Sequence, residues 1–92
     1  MCSRTVVVAN RLGLHARAAA RFVHLASRFQ AHVRVTRGSQ TMDGKSIMGI
    51  LLLAAAAGSV LTVSADGQDE QAAVEALCGF IETGFGEDTC NA

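Results

Sequence analysis

The sequence predicts an α+β open-faced sandwich, in which three helices cover one face of a four-stranded antiparallel sheet. Two observations support this fold class. Segments with the period-two alternation of strands are separated by segments with the three- and four-residue spacing of helices, in the order β-α-β-β-α-β-α. The alternation also places polar residues on one side only, which predicts a sheet with one face buried and the other exposed.

The first half of the chain contains three predicted strands and one helix. The β-branched run "RTVVVA", residues 4–9, predicts a buried strand that ends at the turn-like "NRLG". From Ala16 onward, apolar residues at helical spacing predict the first helix, and basic residues recur at the same spacing on another of its faces. That basic stripe consists of Arg17, Arg21, His24 and Arg28. "AHVRVTR" and the shorter "QTMD" predict a hairpin around the turn "RGSQ".

The second half begins with the segment "KSIMGILLLAAAAG", which predicts a helix that is capped by Ser46 and ends at Gly58. "SVLTVSAD" predicts a further strand. "DEQAAVEALCGFIETGF" predicts a final helix with acidic residues in its first turn.

The second helix is more apolar than one buried face requires. Consecutive residues of a helix are distributed around its whole circumference, so its apolar residues cannot all face one core. The helix either lies between two layers or exposes an apolar surface on which a partner docks. The residues concerned are Ile47, Met48, Ile50, Leu51, Leu52 and Leu53.

The size and composition of the chain indicate one domain, residues 1–92. Half of the residues are hydrophobic and none is proline, so a core can form without disulfides or a metal. The three cysteines, Cys2, Cys78 and Cys90, include no C-x-x-C pair, which argues against a disulfide framework and a zinc site. No signal peptide is recognisable. We therefore expect a cytosolic, monomeric protein without a membrane segment, a metal or a cofactor.

The charges are divided along the chain although they sum to zero. All 8 Lys and Arg residues lie between Arg4 and Lys45, and the acidic residues other than Asp43 begin at Asp66. This division is compatible with a small basic-faced module that binds nucleic acid, or with a fold that mixes the two halves into one surface. The absence of Trp and Tyr leaves few aromatic side chains on which nucleic-acid bases could stack.

A separate motif, "DGKS" at residues 43–46, lacks the glycine spacing of a nucleotide-binding loop.

His15 stands in "GLHARAAARF", at the predicted start of the first helix, where Ser, Thr, Asp or Asn is the usual cap. A neutral imidazole is a nucleophile towards phosphorus, and a helix N-terminus offers free amide groups to phosphate oxygens. Arg17 can pair with those oxygens through its planar guanidinium. No carboxylate lies nearby in the sequence to repel a phosphoryl group. These residues predict phosphoryl acceptance rather than acid–base catalysis.

Three motifs together resemble HPr, the histidine-containing phosphocarrier of the bacterial phosphoenolpyruvate phosphotransferase system. They are "GLHAR" at the first helix, "KSIMG" at the second, and "GFGED" near the C-terminus. The resemblance implies a carrier rather than an enzyme. It implies that His15 takes a phosphoryl group from Enzyme I, itself charged by phosphoenolpyruvate, and passes it to an Enzyme IIA protein, while Arg17 steadies the phosphohistidine.

The resemblance also implies a regulatory and a docking role for the second helix. Ser46 matches a serine that a dedicated HPr kinase/phosphorylase modifies in many bacteria. Ile47, Met48 and Leu51 match partner-docking positions, and we add Arg21 from the basic stripe to this docking set.

One residue departs from the pattern of the family. Ala18 follows the arginine where proline is usual, and alanine is a good helix former, so phosphoryl transfer should persist. Ala18 and "GFGED" resemble the nitrogen-related branch more than the sugar-transport form.

Overall fold

The computed structural model describes residues 1–85 and contains the predicted order of strands and helices. Four antiparallel strands form one sheet, and three helices pack against it, which confirms the predicted fold class. Residues 86–88 of the predicted "GFGED" motif, and Cys90, lie outside the described residues. The elements are β1 (Cys2–Val7), α1 (Ala16–Ala26), β2 (His32–Arg37), β3 (Gln40–Asp43), α2 (Ile47–Leu52), β4 (Val60–Asp66) and α3 (Glu70–Glu82).

The last strand along the chain lies inside the sheet, since the strand order is β1-β4-β2-β3. β4 pairs antiparallel with β1 from Cys2↔Ala65 to Val7↔Val60, and antiparallel with β2 on its other side. This register places the end of β1 beside the start of β4. The segment that follows β1 and the segment that precedes β4 therefore meet at one edge of the sheet.

The two faces of the sheet differ in the way that the alternation predicts. The strands bury valine, leucine and alanine against helix residues that include Phe22, Leu77 and Ile81. The opposite face carries a row of threonines across all four strands. The Oγ1 atoms are 3.5 Å apart in the pair Thr5–Thr62 and 3.0 Å apart in the pair Thr36–Thr41.

The second helix is shorter than its sequence predicts, and the predicted end at Gly58 is wrong. α2 ends at Leu52, and Ala54 has φ 51°, in the left-handed region that L-residues rarely adopt. The chain turns away there because the next residue is needed elsewhere: the carbonyl of Ala55 accepts the N–H of Leu14 at 2.8 Å. Tertiary contacts here outweigh the helix propensity of four consecutive alanines.

Folding brings a basic side chain of the first half to an acidic side chain of the second, since Arg4 lies 3.7 Å from Glu82 of α3. Lys45 is engaged differently: its Nζ donates to the Phe29 carbonyl at 2.6 Å. Arg34 lies on the open face of the sheet, whereas Arg17 lies on α1. The basic side chains of residues 1–85 are thus spread over several faces.

Asp69 links the start of α3 to the chain that enters β2. Its carboxylate accepts the N–H of Gln30 at 2.9 Å and the N–H of Ala31 at 2.8 Å. The hydrogen bond from Gln30 is the main reason why the pKa of Asp69 lies below its ordinary value of 3.8. Because the folded state favours the ionised form, this contribution to stability is present above the ordinary pKa and is lost as the pH falls through the lowered one.

We predict that Asp69→Asn lowers the midpoint of urea denaturation at neutral pH, since a neutral amide replaces a charged acceptor of two backbone N–H groups. The variant should also lose less stability than the unaltered protein between about pH 5 and about pH 2, because it lacks this titrating group. Glu75→Gln, at an exposed position of the same helix, is the control. Equal acid sensitivity of Asp69→Asn and the unaltered protein would contradict the assignment.

Candidate functional site

The segment between β1 and α1 is held in place by backbone contacts. The Val8 N–H donates to the Ser59 carbonyl at 2.9 Å, and the Gly58 N–H donates to the Val8 carbonyl at 2.9 Å. These bonds extend the β1–β4 pairing past the ends of both strands, so the segment leaves the sheet in a fixed direction.

Buried Asn10 organises the turn that follows. Its Nδ2 donates to the Gly13 carbonyl at 2.9 Å, while the Gly13 N–H donates to the Asn10 carbonyl at 3.2 Å. The Leu14 N–H then bonds to Ala55, and the Leu14 side chain is buried in the core. His15 is therefore fixed from both sides, by a bonded turn before it and by a helix after it.

Gly13 is required by space and by backbone conformation. Its φ is +66°, and a Cβ at this position would lie 2.4 Å from the Ala55 oxygen and 2.9 Å from the Ala56 Cα. Both obstacles are backbone atoms, which cannot rotate away as a side chain can. The turn before His15 and the segment after α2 thus approach each other so closely that no side chain fits between them at residue 13.

His15 is the N-cap of α1, as the sequence predicts. Its backbone is extended, with φ −80° and ψ 179°, and its carbonyl accepts the first helical bond from Ala19 at 2.8 Å. Its Nδ1 accepts the backbone N–H of Arg17 at 3.3 Å. An Nδ1 that accepts a hydrogen bond carries a lone pair, so in the neutral ring the proton is on Nε2. The lone pair is directed at the N-terminus of the helix.

The surroundings of His15 favour a negatively charged group. The first turn of α1 contains no acidic residue, and the salt bridges within residues 1–85 do not involve Arg17. The Arg17 side chain is exposed, and its backbone N–H contacts the imidazole. Ala18 is completely buried, so this position contributes to the core as well as to the first turn.

Ser46 is the N-cap of α2, and its Oγ accepts the Gly49 N–H at 3.1 Å. The Asp43 carbonyl accepts the Ser46 N–H at 3.2 Å, and Asp43 Oδ1 accepts the Lys45 N–H at 2.9 Å. Two interlocked turns therefore lead the chain from β3 into α2. The side chain of Ser46 is partly accessible.

The apolar docking residues of α2 differ in exposure. Ile47 is 45% exposed and Met48 67% exposed, whereas Leu51 is partly buried and packs against the core. Leu52, one of the six apolar residues of this helix but not a member of the predicted docking set, is 60% exposed. It shares a helix face with Met48 because the two residues are four positions apart. This spacing is the feature of the sequence that could have placed Leu52 in the docking set.

Two other residues of the site region were placed by the tertiary structure. Leu12, in the turn before His15, is 73% exposed, and an apolar residue between Arg11 and Gly13 was the only sign of it in the sequence. Arg21 Nη1 donates to the Phe85 carbonyl at 3.3 Å, so this member of the predicted docking set contacts the segment that follows α3.

An open-faced sandwich that presents a histidine at the N-terminus of its first helix defines a class of small carrier domains rather than an enzyme with a closed pocket. A family model described as the phosphorylation site of the PTS HPr component matches residues 2–83. The chain belongs to the HPr family, and it is a phosphocarrier of the phosphotransferase system, not an enzyme.

Curated relatives include phosphocarrier proteins named HPr and one named NPr. The chain is 46% identical over 87 residues to phosphocarrier protein HPr of Cupriavidus necator, covering 95% of this chain and 98% of the relative. It is 38% identical over 84 residues to phosphocarrier protein NPr of Shewanella violacea, covering 91% and 92%.

Solved structures of the family have the same fold. HPr-C-His from Thermoanaerobacter tengcongensis matches with a TM-score of 0.91 and 43% identity, over 96% of this chain and 99% of the other. An HPr dimer from the same organism matches with a TM-score of 0.75 and 44% identity, over 95% and 100%. In residues 1–85 of the present chain, no helix combines the length and the hydropathy needed to cross a membrane.

We predict that Gly13→Ala lowers the free energy of unfolding by more than about 3 kcal/mol, because it adds a backbone clash to the strain of a positive φ. Gly38→Ala is the matched control: its φ is +61°, but a Cβ there meets nothing within 4 Å. The control should lose only about 1–2 kcal/mol. Equal losses for the two variants in urea denaturation would refute the close approach.

Proposed function

We propose that this phosphocarrier accepts a phosphoryl group on Nδ1 of His15 from Enzyme I, itself charged by phosphoenolpyruvate, and passes it to an Enzyme IIA protein. The observation that carries the proposal is the hydrogen bond from the Arg17 N–H to Nδ1. It places the lone pair of the ring at a helix N-terminus that has no acidic residue in its first turn.

The transfer needs no acid or base from the protein. The Nδ1 lone pair attacks phosphorus, a P–N bond forms, and the bond from phosphorus to the donor breaks, leaving its electron pair on the donor. The Arg17 N–H, relieved of its bond to Nδ1, can then donate to a phosphoryl oxygen. Transfer to the acceptor is the same displacement in the other direction: the acceptor attacks phosphorus, the P–N bond breaks, and Nδ1 of His15 is the leaving group.

Two features of α1 support binding of the phosphoryl group. The amides of a first helical turn lack intrahelical acceptors and carry partial positive charge. The exposed guanidinium of Arg17 can close over the phosphoryl oxygens, with which its planar donors can pair in a bidentate manner. We propose this stabilising role for Arg17.

We propose that Enzyme I and the Enzyme IIA protein dock on the exposed apolar side chains of α2, with Arg21 at the edge of the contact. Ile47, Met48 and the partly buried Leu51 form the set that the family resemblance implies. Exposed apolar side chains at one site are typical of protein contacts. The exposure of Leu52 and Leu12 supports their addition to this surface.

We propose that Ser46 is a regulatory phosphorylation site, for an HPr kinase/phosphorylase where one is present. Its Oγ caps α2 through the Gly49 N–H, and Ile47 and Met48 follow it directly. A phosphoryl group at a helix N-terminus is compatible with the helix dipole. It would place nearly two negative charges beside the docking surface and repel an acidic partner.

The remaining features of the proposal concern the state of the protein. We propose that residues 1–92 work as one cytosolic, monomeric domain that needs no cofactor. Because the HPr of Thermoanaerobacter tengcongensis has been solved as a dimer, size-exclusion chromatography is the measurement that tests the monomeric state. The nucleic-acid alternative has less support, because the basic side chains outside the stripe on α1 lie on other faces and Arg37 and Lys45 are engaged by backbone carbonyls.

We predict that incubation with phosphoenolpyruvate and Enzyme I labels His15 with about one phosphate per chain that is labile in acid and stable in base. His15→Ala should accept no phosphate. His24→Ala and His32→Ala are matched controls and should be labelled like the unaltered protein, since both residues are exposed and neither caps a helix. Labelling of His15→Ala, or a phosphohistidine NMR signal on Nε2 alone, would overturn the proposal.

We also predict that three substitutions of Ser46 separate capping from charge. Ser46→Ala should lower the free energy of unfolding by about 1 kcal/mol, whereas Ser46→Asn and Ser46→Asp keep a capping side chain. Only Ser46→Asp adds negative charge, and it should slow phosphoryl transfer from Enzyme I. If Ser46→Asn slows the transfer as much as Ser46→Asp, charge at this position is not the cause.

A further inference from the structure

A groove separates the outer side of α1 from the end of α3 and is distinct from the docking side chains of α2. Its volume is about 630 Å³, within the range of pockets that hold small molecules. We call it the α1–α3 groove. The residues that line it include Arg21, His24, Leu25, Arg28, Phe80 and Phe85.

One side of the α1–α3 groove is apolar and partly aromatic. Leu25 and Phe80 are partly buried and pack against the core, while Phe85 is completely buried. The rings of Phe80 and Phe85 meet edge to face, with centroids 5.7 Å apart and an angle of 85°. This pair fixes the Phe80 ring, so the apolar wall is formed before any ligand arrives.

The backbone at Phe85 adopts a conformation that bulky residues rarely show. Its φ is 60°, and it is held there by a bond from its N–H to the Phe80 carbonyl at 2.9 Å and by the bond from Arg21 to its own carbonyl. Such backbone outliers persist where the surroundings enforce them, and they are concentrated at functional sites. Arg21 thus helps to form the wall that it adjoins.

The other side of the groove is polar, and no acidic residue is among the described residues that line it. Arg21, His24 and Arg28 follow one another at about one helical turn. None of them takes part in the salt bridges of residues 1–85, and two of the three acids of α3 are paired elsewhere: Glu82 with Arg4, and Glu70 with the N-terminal ammonium. An anion seated over His24 would lie between two guanidinium groups, one turn before it and one turn after it.

We propose that the α1–α3 groove binds a small amphipathic organic phosphate, whose apolar body lies on Leu25 and Phe80 and whose phosphate is bound by His24 and Arg28, with Arg21 at its edge. An inorganic anion would leave the apolar wall exposed to water, and a neutral aromatic compound would make no charge-assisted hydrogen bond with the exposed guanidinium of Arg28. This inference does not depend on the proposed transfer through His15.

The test is a titration of the full-length, unphosphorylated protein with 1-naphthyl phosphate, followed by ¹H–¹⁵N NMR. We expect a dissociation constant of about 1 mM or lower, with the largest shifts at the amides of His24, Arg28 and Phe80. Inorganic phosphate and 1-naphthol should each bind at least about tenfold more weakly, which corresponds to about 1.4 kcal/mol.

Arg28→Gln should weaken binding of 1-naphthyl phosphate at least about fivefold, since it removes one charged hydrogen-bond donor from an exposed position. Arg34→Gln makes the same change of charge on the open face of the sheet and should have no effect. The NMR spectra themselves report whether both variants are folded.

Three results would overturn the proposal. The first is equal affinity for inorganic phosphate, and the second is a set of shifts confined to residues 13–18, which would place the anion at the proposed His15 site instead. The third is binding only in the Glu87→Gln, Asp88→Asn variant, which would assign the groove to acidic residues of the chain's own C-terminus. The labelling of His15 by Enzyme I is measured separately, so failure here leaves that proposal testable on its own.

Discussion

The position of His15 depends on one close approach between two backbone segments. Gly13 has no side chain, so the turn before His15 can pack against Ala55 and Ala56, and the Leu14 N–H reaches the Ala55 carbonyl at 2.8 Å. This contact fixes the start of α1, and it also ends α2 early, because the chain must leave the helix to present Ala55. The proposed phosphoryl site and the exposed helix beside it are thus set by the same contact.

The pairing of β4 between β1 and β2 is what makes that contact possible. The register from Cys2↔Ala65 to Val7↔Val60 brings the end of β1 to the start of β4, and the segments that continue from them must share an edge of the sheet. Hydrogen bonds between Val8 and the 58–59 segment extend this alignment by one step. The two segments that form the proposed site are about 40 residues apart in the sequence. The backbone hydrogen bonds between β1 and β4, and those of Val8, therefore position the site, rather than flexible loops.

A histidine cap costs some helix stability, and in the proposed function it supplies the nucleophile. Serine, threonine, aspartate and asparagine are better N-caps than an imidazole, and the bond from the Arg17 N–H to Nδ1 is long at 3.3 Å. The Nδ1 lone pair that accepts this weak bond lies at the positive end of a helix, where the proposed phosphoryl group would meet the amides of the first turn. Ala54, which follows the end of α2, has a positive φ, and this is a further local cost of bringing Ala55 to the segment before His15.

The sequence by itself determined the order of elements, the cap positions of His15 and Ser46, and the two faces of the sheet, because periodicity and capping are local properties that adjacent residues specify. Only the tertiary structure decided where α2 ends, that Leu51 is partly buried while Leu52 is exposed, and that Arg21 reaches the carbonyl of Phe85. The four alanines after Leu53 favour a helix locally. What overrides them is a single backbone carbonyl needed by Leu14, a partner about 40 residues earlier that no local pattern could identify.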